Sequence, residues 1–440
     1  MTRTRAAILL AGAATLLLAG AAAAGGFNIY EAGARATALG GAFTATADDG
    51  SAIFYNPAGL AFLDGMAVDL NLMPVIPSAE FTGAVQLDGS HATGKTVDQS
   101  FPIPGAYWYR NTGDLTYGIG LSAPFGLGVE WSDPEAWVGR YSSYDVDLAT
   151  VYVTPALSWK VEETVAVAFG LDIAYADIQL NKRSAILYGV NPEVERLVEV
   201  FDARIEGTSR INVTPTMGLM VKASPKVTFG VMYHHQKKLE VRDGKLTLTN
   251  IAPAYLTATI DAKITQLGGA EQDGVTDLKL PHMLAVGVAY QATEKARVEL
   301  DVVHFGWGYF DELALDFDGT ELDQTIREDY EDVLQLRFGA QYQVTPKLLA
   351  MAGYVRDESP QPVGSVSPLL PDASRNDYSF GLQMRATERV TLTGTYMSVN
   401  FEERSNVVDG VHQSFETETN PAGTYDSYAH IFGVGIGYRF

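Results

Sequence analysis

Apolar and polar residues alternate along most of the chain with a period of two. In residues 165–175 the odd-numbered positions are Val, Val, Phe, Leu, Ile and Tyr, whereas the even-numbered positions are Ala, Ala, Gly, Asp and Ala. Residues 115–122 and 334–343 alternate in the same way. Since successive side chains of a β-strand point to opposite faces, this pattern predicts strands with one apolar face. The chain is therefore predicted to be all-β.

A short turn recurs between these predicted strands. Ser224-Pro225-Lys226 and Thr345-Pro346-Lys347 fit a type I turn, in which proline favours the second position. Long connections lie at the other end of the strands. Short turns at one end and long loops at the other are typical of outer-membrane barrels. The six short-turn stretches are 109–114, 159–164, 221–226, 290–295, 342–347 and 384–389, and the long connections are 76–100, 123–144, 181–206, 240–278, 306–328, 356–374 and 401–425.

Two strands around each short turn, one strand from Met66 and one that ends at Phe440 make fourteen. We therefore predict a 14-stranded antiparallel transmembrane β-barrel over residues 66–440, with both termini on the periplasmic side of the outer membrane of a Gram-negative bacterium. A secreted β-sandwich or adhesin is the alternative, because sandwich strands also alternate. Aromatic residues beside the short turns are expected to form an interfacial girdle: Tyr109, Trp159, Tyr290 and Tyr342.

The N-terminal end predicts export. Arg3 and Arg5 precede an apolar run, and Ala22–Ala24 supply small residues for cleavage, so residues 1–24 are predicted to be a signal peptide. A transmembrane anchor is the alternative. No second long apolar run exists, which argues against a helical membrane protein.

The composition of the chain argues against several kinds of partner and cofactor. The net charge of −22 argues against nucleic-acid binding, because no basic surface can neutralise phosphates. With no cysteine in the chain there is no disulfide and no thiolate metal site, and neither a metal nor another cofactor is predicted.

Residues 25–65 precede the first predicted strand and are small, apolar and rich in turns. Fourteen strands enclose a lumen too wide for the Gly, Ala, Ser and Thr of the inward face to fill. We therefore predict that residues 25–65 form an N-terminal hatch, or plug, inside the barrel. Asn56-Pro57-Ala58 is a turn surrounded by apolar residues, and burial in the lumen would explain this. An ordinary turn at the barrel entrance is the alternative.

The hatch sequence "GFNIYEAGARATALGGAFTATADDGSAIFYNPAGLA" resembles the hatch of the FadL/TodX-type outer-membrane transporters of long-chain fatty acids and hydrocarbons. The likeness is carried by Gly26-Phe27 with Glu31, by Ala47-Asp48-Asp49, by Asn56-Pro57-Ala58, by "SAPFGLGVEW" at 122–131 and by the Tyr-x-Phe ending. The resemblance implies a fourteen-stranded barrel, a ligand pocket near the hatch N-terminus with Phe27 at its apolar end, and a lateral exit at a kinked third strand.

The residues themselves favour such an exit near Pro124, Phe125, Gly126 and Gly128. Proline cannot donate to a strand ladder, and the two glycines weaken the strand further. At the chain end, Tyr438 and Phe440 lie on the predicted lipid-facing side, next to outer-membrane lipid. They resemble the C-terminal signal that the barrel-assembly machinery recognises.

A fatty acid would bring a carboxylate, whose burial without a partner is costly. Alternation turns Arg337 inward, so Arg337 is predicted to bind the head group. The alternative is that Arg337 pairs with Asp48 or Asp49 and holds the hatch. Alternation also turns Arg297 inward, and we expect its guanidinium group to pair with Glu299 and Asp301.

The predicted function is outer-membrane transport of long-chain fatty acids or similar apolar small molecules by a monomer, without enzymatic activity. An uptake channel for aromatic hydrocarbons and a general porin are the nearest alternatives. An outer-membrane hydrolase is the alternative from another class. It would need a histidine beside a nucleophile or carboxylate, and none of the seven histidines has such a partner in a recognisable motif.

Overall fold

The computed structural model describes residues 26–85, 90–189, 195–317 and 321–440. The predicted signal peptide, residues 1–24, lies outside these residues. Strands make up most of the described chain. The first twelve are β1 (Met66–Val85), β2 (His91–Lys95), β3 (Phe101–Asn111), β4 (Leu115–Ser122), β5 (Gly126–Glu130), β6 (Asp145–Glu162), β7 (Val165–Gly189), β8 (Glu195–Thr208), β9 (Asn212–Ser224), β10 (Val227–His234), β11 (Lys237–Asn250) and β12 (Glu271–Leu280).

The second half of the chain continues the same pattern. Its strands are β13 (Met283–Gln291), β14 (Ala296–Phe305), β15 (Glu312–Asp316), β16 (Gln324–Arg327), β17 (Val333–Thr345), β18 (Leu348–Asp357), β19 (Arg375–Arg385), β20 (Val390–Phe401), β21 (Arg404–Ser405), β22 (Val407–Val408), β23 (Val411–His412) and β24 (Gly423–Arg439).

Within the described residues the wall is a closed, antiparallel, 14-stranded β-barrel, as the alternation predicted. Closure comes from β1 and β24, which pair from Ala67↔Arg439 to Gly83↔Gly423. Several wall strands consist of two segments, for example β4 with β5, β8 with β9, β10 with β11, and β12 with β13. A closed sheet leaves no unpaired edge to lipid, which is the condition for strands to cross a bilayer.

The apolar face of the alternating strands points outward. Phe338 is 44 % exposed, whereas its neighbour Arg337 is 2 % exposed, and the last strand has the same pattern. Trp159, Tyr290 and Tyr342 are exposed beside the short turns, as predicted for a girdle. The prediction for Tyr109 is wrong, because this side chain is buried and faces inward.

All six predicted short turns connect neighbouring wall strands at one end of the barrel, here called the short-turn end. The long connections at the opposite, long-loop end contain more regular structure than predicted. β7 and β8 occupy the described residues of 181–206, and 240–278 contains most of β11 and β12 with the helix Thr257–Gln266 between them. Strands that extend beyond the apolar belt meet water on both faces, so their sequences lack the alternation.

Residues 26–65 contain the short helices Ala34–Ala38 and Ala52–Tyr55 and the 3-10 helix Pro57–Phe62. Nearly all of this segment is buried. The first helix contacts β18, β19 and β20, whereas the 3-10 helix contacts β6, β7 and β9. The segment therefore contacts the wall from separate sides. Among the described residues, no helix is both long and apolar enough to cross a bilayer.

Wall glycines let this N-terminal segment approach the strands closely. A Cβ atom at Gly353 would collide with the backbone of Leu39 and Gly40, and one at Gly230 would collide with the Thr44 carbonyl group. A Cβ atom at Gly105 would lie 2.5 Å from the Ala32 carbonyl oxygen. The small residues of the inward face thus make room for backbone contacts rather than leaving open space.

Candidate functional site

The wall is interrupted on one side of its third strand. β4 ends at Ser122 and β5 begins at Gly126, and both segments pair with β6. On the other side, pairing of β4 with β3 stops at Ala106↔Leu121. Within the described residues, β5 has no ladder to β3, so residues 101–105 and 123–128 face each other across a gap, here called the window. Pairing resumes at the bridge Thr96↔Trp131, which bounds the window toward the long-loop end.

Prolines explain why the ladder fails here. Pro124 lies at the break, and Pro102 and Pro104 lie opposite it on β3. Proline has no amide hydrogen, so neither edge of the window can offer a full set of donors to the other. Gly128 contributes differently, since a Cβ atom there would collide with the Phe101 ring, which reaches across the window.

Residues 27–29 of the N-terminal segment pair with the broken strand. The Ile29 amide donates to the Pro124 carbonyl oxygen at 2.8 Å, and the Gly126 amide donates to the Phe27 carbonyl oxygen at 3.0 Å. The Asn28 side-chain amide also donates to the Pro124 carbonyl oxygen, at 3.0 Å. The groups left unpaired by the break are therefore satisfied by the N-terminal segment.

A cavity of about 440 Å³ lies against this window. Most of its lining is apolar, and it includes Phe27, Phe125, Gly126 and Gly128. The cavity is lined from both faces of the wall. On β6 it touches the buried Thr150 and also Val151, which is 41 % exposed on the outer face. The cavity thus connects the inner side of the wall with its lipid-facing side.

Aromatic rings enclose Phe27. Its ring lies 4.9 Å from Trp307, 5.6 Å from Phe310 and 6.1 Å from Phe125, each in an edge-to-face arrangement. Tyr330 packs behind, 5.0 Å from Phe310. Such pairs add about 0.5–1.5 kcal/mol each beyond burial, so this cluster fixes the start of the N-terminal segment.

Charged side chains collect at one end of the cavity. Arg375 lines it, and its Nη2 and Nε atoms lie 2.7 Å and 2.9 Å from Oδ2 of the buried Asp357. Asp372 also lines the cavity and accepts hydrogen bonds from the Gly26 amide at 2.9 Å and from the Ser359 hydroxyl group at 2.5 Å.

Burial raises the pKa of two acidic side chains at this end of the cavity. It raises the pKa of Asp372 to about 6, although the hydrogen bonds from Ser359 and Gly26 lower it. Burial likewise raises the pKa of Glu31, although Arg375 opposes the shift. Both acids therefore hold their protons more firmly than they would in water.

Arg337, the predicted head-group residue, is not among the cavity-lining residues. Its guanidinium group lies 4.6 Å from the centre of the Tyr30 ring and donates to the Gln335 side chain and, at 3.2 Å, to the Gly41 carbonyl oxygen. The Arg375 guanidinium group lies 5.9 Å from the centre of the same Tyr30 ring, so Tyr30 separates the two arginines. The cation at the cavity is thus Arg375, which sequence reasoning missed because its position depends on the loop before β19.

The alternative pairing of Arg337 with Asp48 or Asp49 is also wrong. Asp48 binds Arg35 and, at 2.8 Å, Arg297. Burial raises the pKa of Asp48, but the two arginines outweigh this effect and hold the pKa below its usual value. Glu299 and Asp301 do not occupy Arg297 as predicted; they accept hydrogen bonds from the backbone amides of residues 43–45 instead.

Asn56, Pro57 and Ala58 lie apart from the cavity, and the 3-10 helix that begins at Pro57 contacts β6, β7 and β9. The Asn56 side-chain amide donates to the carbonyl oxygens of Thr44 at 2.8 Å and Leu219 at 3.1 Å. Its side-chain oxygen accepts from the Ala58 amide at 3.2 Å, which caps the 3-10 helix that Pro57 begins. Ser158 donates to the Ala58 carbonyl oxygen at 3.2 Å.

The C-terminal residues lie at the short-turn end. Tyr438 and Phe440 are 37 % and 62 % exposed on the outer face. The Phe440 amide donates to the Met66 carbonyl oxygen at 3.0 Å, so the last residue still belongs to the closing ladder.

His234 has a buried carboxylate partner that the sequence did not reveal. His234 Nδ1 lies 2.7 Å from Asp172, which also binds Lys237 at 3.0 Å. His234 Nε2 contacts the Phe54 carbonyl oxygen at 2.9 Å. A catalytic histidine needs this nitrogen for a nucleophile, but here it holds the N-terminal segment to the wall.

Three comparisons with known proteins agree with this architecture. Residues 15–440 match the family model described as outer membrane protein transport protein (OMPP1/FadL/TodX). The long-chain fatty acid transport protein of Escherichia coli O6:H1 is 21 % identical, over 90 % of each chain. Outer membrane protein P1 of Haemophilus influenzae is 22 % identical, over 90 % of this chain and 91 % of the relative.

Solved structures share the fold. A Pseudomonas aeruginosa FadL homologue superimposes with a TM-score of 0.81 at 18 % identity, covering 94 % of this chain and all 100 % of the homologue. The toluene transporter TodX of P. putida superimposes with a TM-score of 0.69 at 18 % identity, covering 93 % and 98 % of the two chains.

Proposed function

Because the chain belongs to the OMPP1/FadL/TodX family of outer membrane transport proteins, we propose that it carries apolar compounds across the outer membrane through the cavity beside the window. The observation that supports this function most is the position of the cavity, which has residues of both wall faces in its lining. Apolar lining binds apolar cargo, because burial removes the surface of the cargo from water.

We propose that cargo leaves sideways through the window. An apolar molecule that passes from the cavity to the lipid-facing side of β6 enters the bilayer without crossing water. Residues 27–29 close the window by hydrogen bonds and by the Phe27 ring, so they would have to shift when cargo leaves. Pro124, Phe125, Gly126 and Gly128 are the wall residues of this exit.

Residues 26–65 are proposed to be the hatch. Their burial, their backbone contacts with wall glycines and the salt bridges of Asp48 support this role. A hatch would block water and ions, which distinguishes the protein from a general porin. We further propose that the short-turn end and both termini are periplasmic, that the chain is monomeric, and that Tyr438 and Phe440 are recognised by the barrel-assembly machinery.

Two relatives suggest different cargo. The Escherichia coli relative is named for long-chain fatty acids, and TodX is named for toluene. Both kinds of molecule are largely apolar, and neither requires hydrolysis, so no enzymatic step is proposed.

Uptake measurements test the proposed function. The protein is expressed in a Gram-negative strain that lacks related channels, and uptake of radiolabelled toluene and decanol is followed. Uptake should rise several-fold above that of the empty vector. Ala429→Trp, which fills the cavity from β24, should return uptake to the vector level.

Val344→Trp is the matched control, because Val344 lies on the outer face near a short turn. It should transport like the wild type. Both barrels are checked by heat-modifiable migration on gels. Full uptake by a folded Ala429→Trp barrel would contradict passage through the cavity.

A further inference from the structure

The charges around the cavity carry information about its cargo. Among the lining residues in the described part of the chain, Arg375 is the one cation, whereas Glu31, Asp147 and Asp372 are acidic. A carboxylate ligand would need a cation or several hydrogen-bond donors to replace its water. Arg375 is therefore the residue on which binding of a fatty carboxylate would depend.

The positive charge of Arg375 is already balanced by carboxylates on the wall strands. Besides the two contacts with Asp357, its Nε atom lies 3.6 Å from Asp377. Asp357 and Asp377 are both almost completely buried, and besides Arg375 the Tyr30 hydroxyl group donates to Oδ2 of Asp377 at 2.5 Å. One oxygen of each carboxylate, Oδ1, has no hydrogen-bond partner within the described residues. The positive charge of Arg375 is thus balanced by two buried carboxylates, each of which has one oxygen without a partner among the residues that the structure describes.

Protonation does not free the guanidinium group. Glu31 and Asp372 can be neutral, since burial raises the pKa of both. Even then, Arg375 and Asp357 balance each other. An incoming carboxylate would have to compete with a buried, hydrogen-bonded partner, and the separated Asp357 would be a buried, uncompensated charge.

We infer that the cavity selects uncharged apolar molecules over ionised fatty acids, and that Asp357 determines this selectivity by occupying Arg375. This inference rests on the proposed function, because it concerns the cargo of the same cavity. The class of cargo is that of hydrocarbons, long-chain alcohols and esters. Asp357 is a positioning residue, since it acts through Arg375 and does not line the cavity itself.

A matched pair of ligands tests the selectivity. The full-length mature protein in amphipol is dialysed to equilibrium against radiolabelled 1-decanol or decanoate at pH 8, where decanoate is ionised, with protein-free amphipol as the blank. The wild type should bind decanol at least tenfold more tightly than decanoate.

Asp357→Asn should reduce the ratio of decanol affinity to decanoate affinity at least fivefold. The change should come from tighter decanoate binding, while decanol binding stays the same. Asp273→Asn, in an exposed part of β12, is the control and should keep the wild-type ratio. If Asp357→Asn does not fold, Asp372→Asn takes its place. It removes a lining charge without touching the Arg375–Asp357 pair and should strengthen decanoate binding about threefold.

The outcomes separate this inference from the proposed function. Equal binding of decanoate and decanol by the wild type would overturn the selectivity and leave transport intact. An unchanged ratio in folded Asp357→Asn, or in Asp372→Asn where it is used instead, would overturn the role of the charged cluster. Failure of the wild type to bind either ligand would overturn the cavity as a cargo site, and the proposed function with it.

Discussion

At the scale of single residues, the window depends on backbone groups that a regular strand would have paired. The Pro124 carbonyl oxygen accepts from both the Ile29 amide and the Asn28 side chain. The Thr150 hydroxyl group accepts a hydrogen bond from the Phe125 amide at 3.0 Å and donates one to the Phe125 carbonyl oxygen at 2.6 Å. The backbone groups at the break are therefore paired partly by the N-terminal segment and partly by β6 of the wall.

We expect Phe27→Ala to loosen residues 26–33 without unfolding the barrel. Truncation of a buried phenylalanine typically costs about 3–5 kcal/mol, here confined to the contacts with Trp307, Phe310 and Phe125. Hydrogen exchange should show loss of protection at the amides of Ile29 and Gly126. Phe62→Ala, at the other end of the segment, is the control and should leave these amides protected.

Arg337→Ala should affect the N-terminal segment rather than ligand affinity. Its contacts are the Gly41 carbonyl oxygen and the Tyr30 ring, so the variant should expose residues 39–43 to exchange. Decanol affinity should change less than twofold, because Arg337 does not line the cavity. Arg385→Ala, at an exposed position, should change neither property. A large loss of affinity in Arg337→Ala alone would restore the head-group assignment.

At the scale of elements, the period-two pattern and the six short turns predicted the wall strands, their number and their outward apolar face. Both signals are local, because alternation reflects which side of one strand meets lipid. The bridge Asn28↔Phe125 was beyond such reasoning, since it joins residues 97 positions apart that lie in no regular pattern. Pro102 and Pro104 could have been recognised as the second edge of the window from their missing donors alone.

A regular strand in place of the break should close the exit. We expect replacement of residues 124–128 by a Val/Thr strand to narrow the gap to β3, although Pro102 and Pro104 still lack amide donors, to displace residues 27–29 and to reduce uptake at least tenfold, while the barrel stays heat-stable. Uptake of radiolabelled toluene by whole cells measures the effect.

Pro155→Val is the control for that replacement, because Pro155 lies in a continuous ladder opposite Ile119. It should transport normally. Normal uptake by the replaced variant would indicate passage along the barrel axis instead.

At the scale of the whole molecule, the small inward residues predicted a lumen that the wall side chains cannot fill, and residues 25–65, which precede the first predicted strand, were its predicted occupant. The sequence could not predict which wall charges would meet it. Arg297 rather than Arg337 pairs with Asp48, and Glu299 and Asp301 bind backbone amides. These choices depend on how residues 26–65 pack against the wall, which no local pattern encodes.

Removal of residues 26–65 should turn the protein into an open channel. The wall closes through β1 and β24 without this segment, so the barrel can form. The space left behind would fill with water. In planar bilayers the intact protein should conduct little, whereas the deletion variant should give large, long-lived conductance steps.

A second variant guards against misfolding of the deletion. Arg35→Ala combined with Arg297→Ala keeps the whole chain but removes both salt bridges of Asp48, one of which joins the N-terminal segment to β14. Without that link to the wall, the segment should detach intermittently and produce brief openings. Lys238→Ala with Arg327→Ala, which removes two charges from exposed positions, should conduct like the wild type. If the intact protein already conducts like a porin, residues 26–65 do not block the barrel and the hatch is wrong.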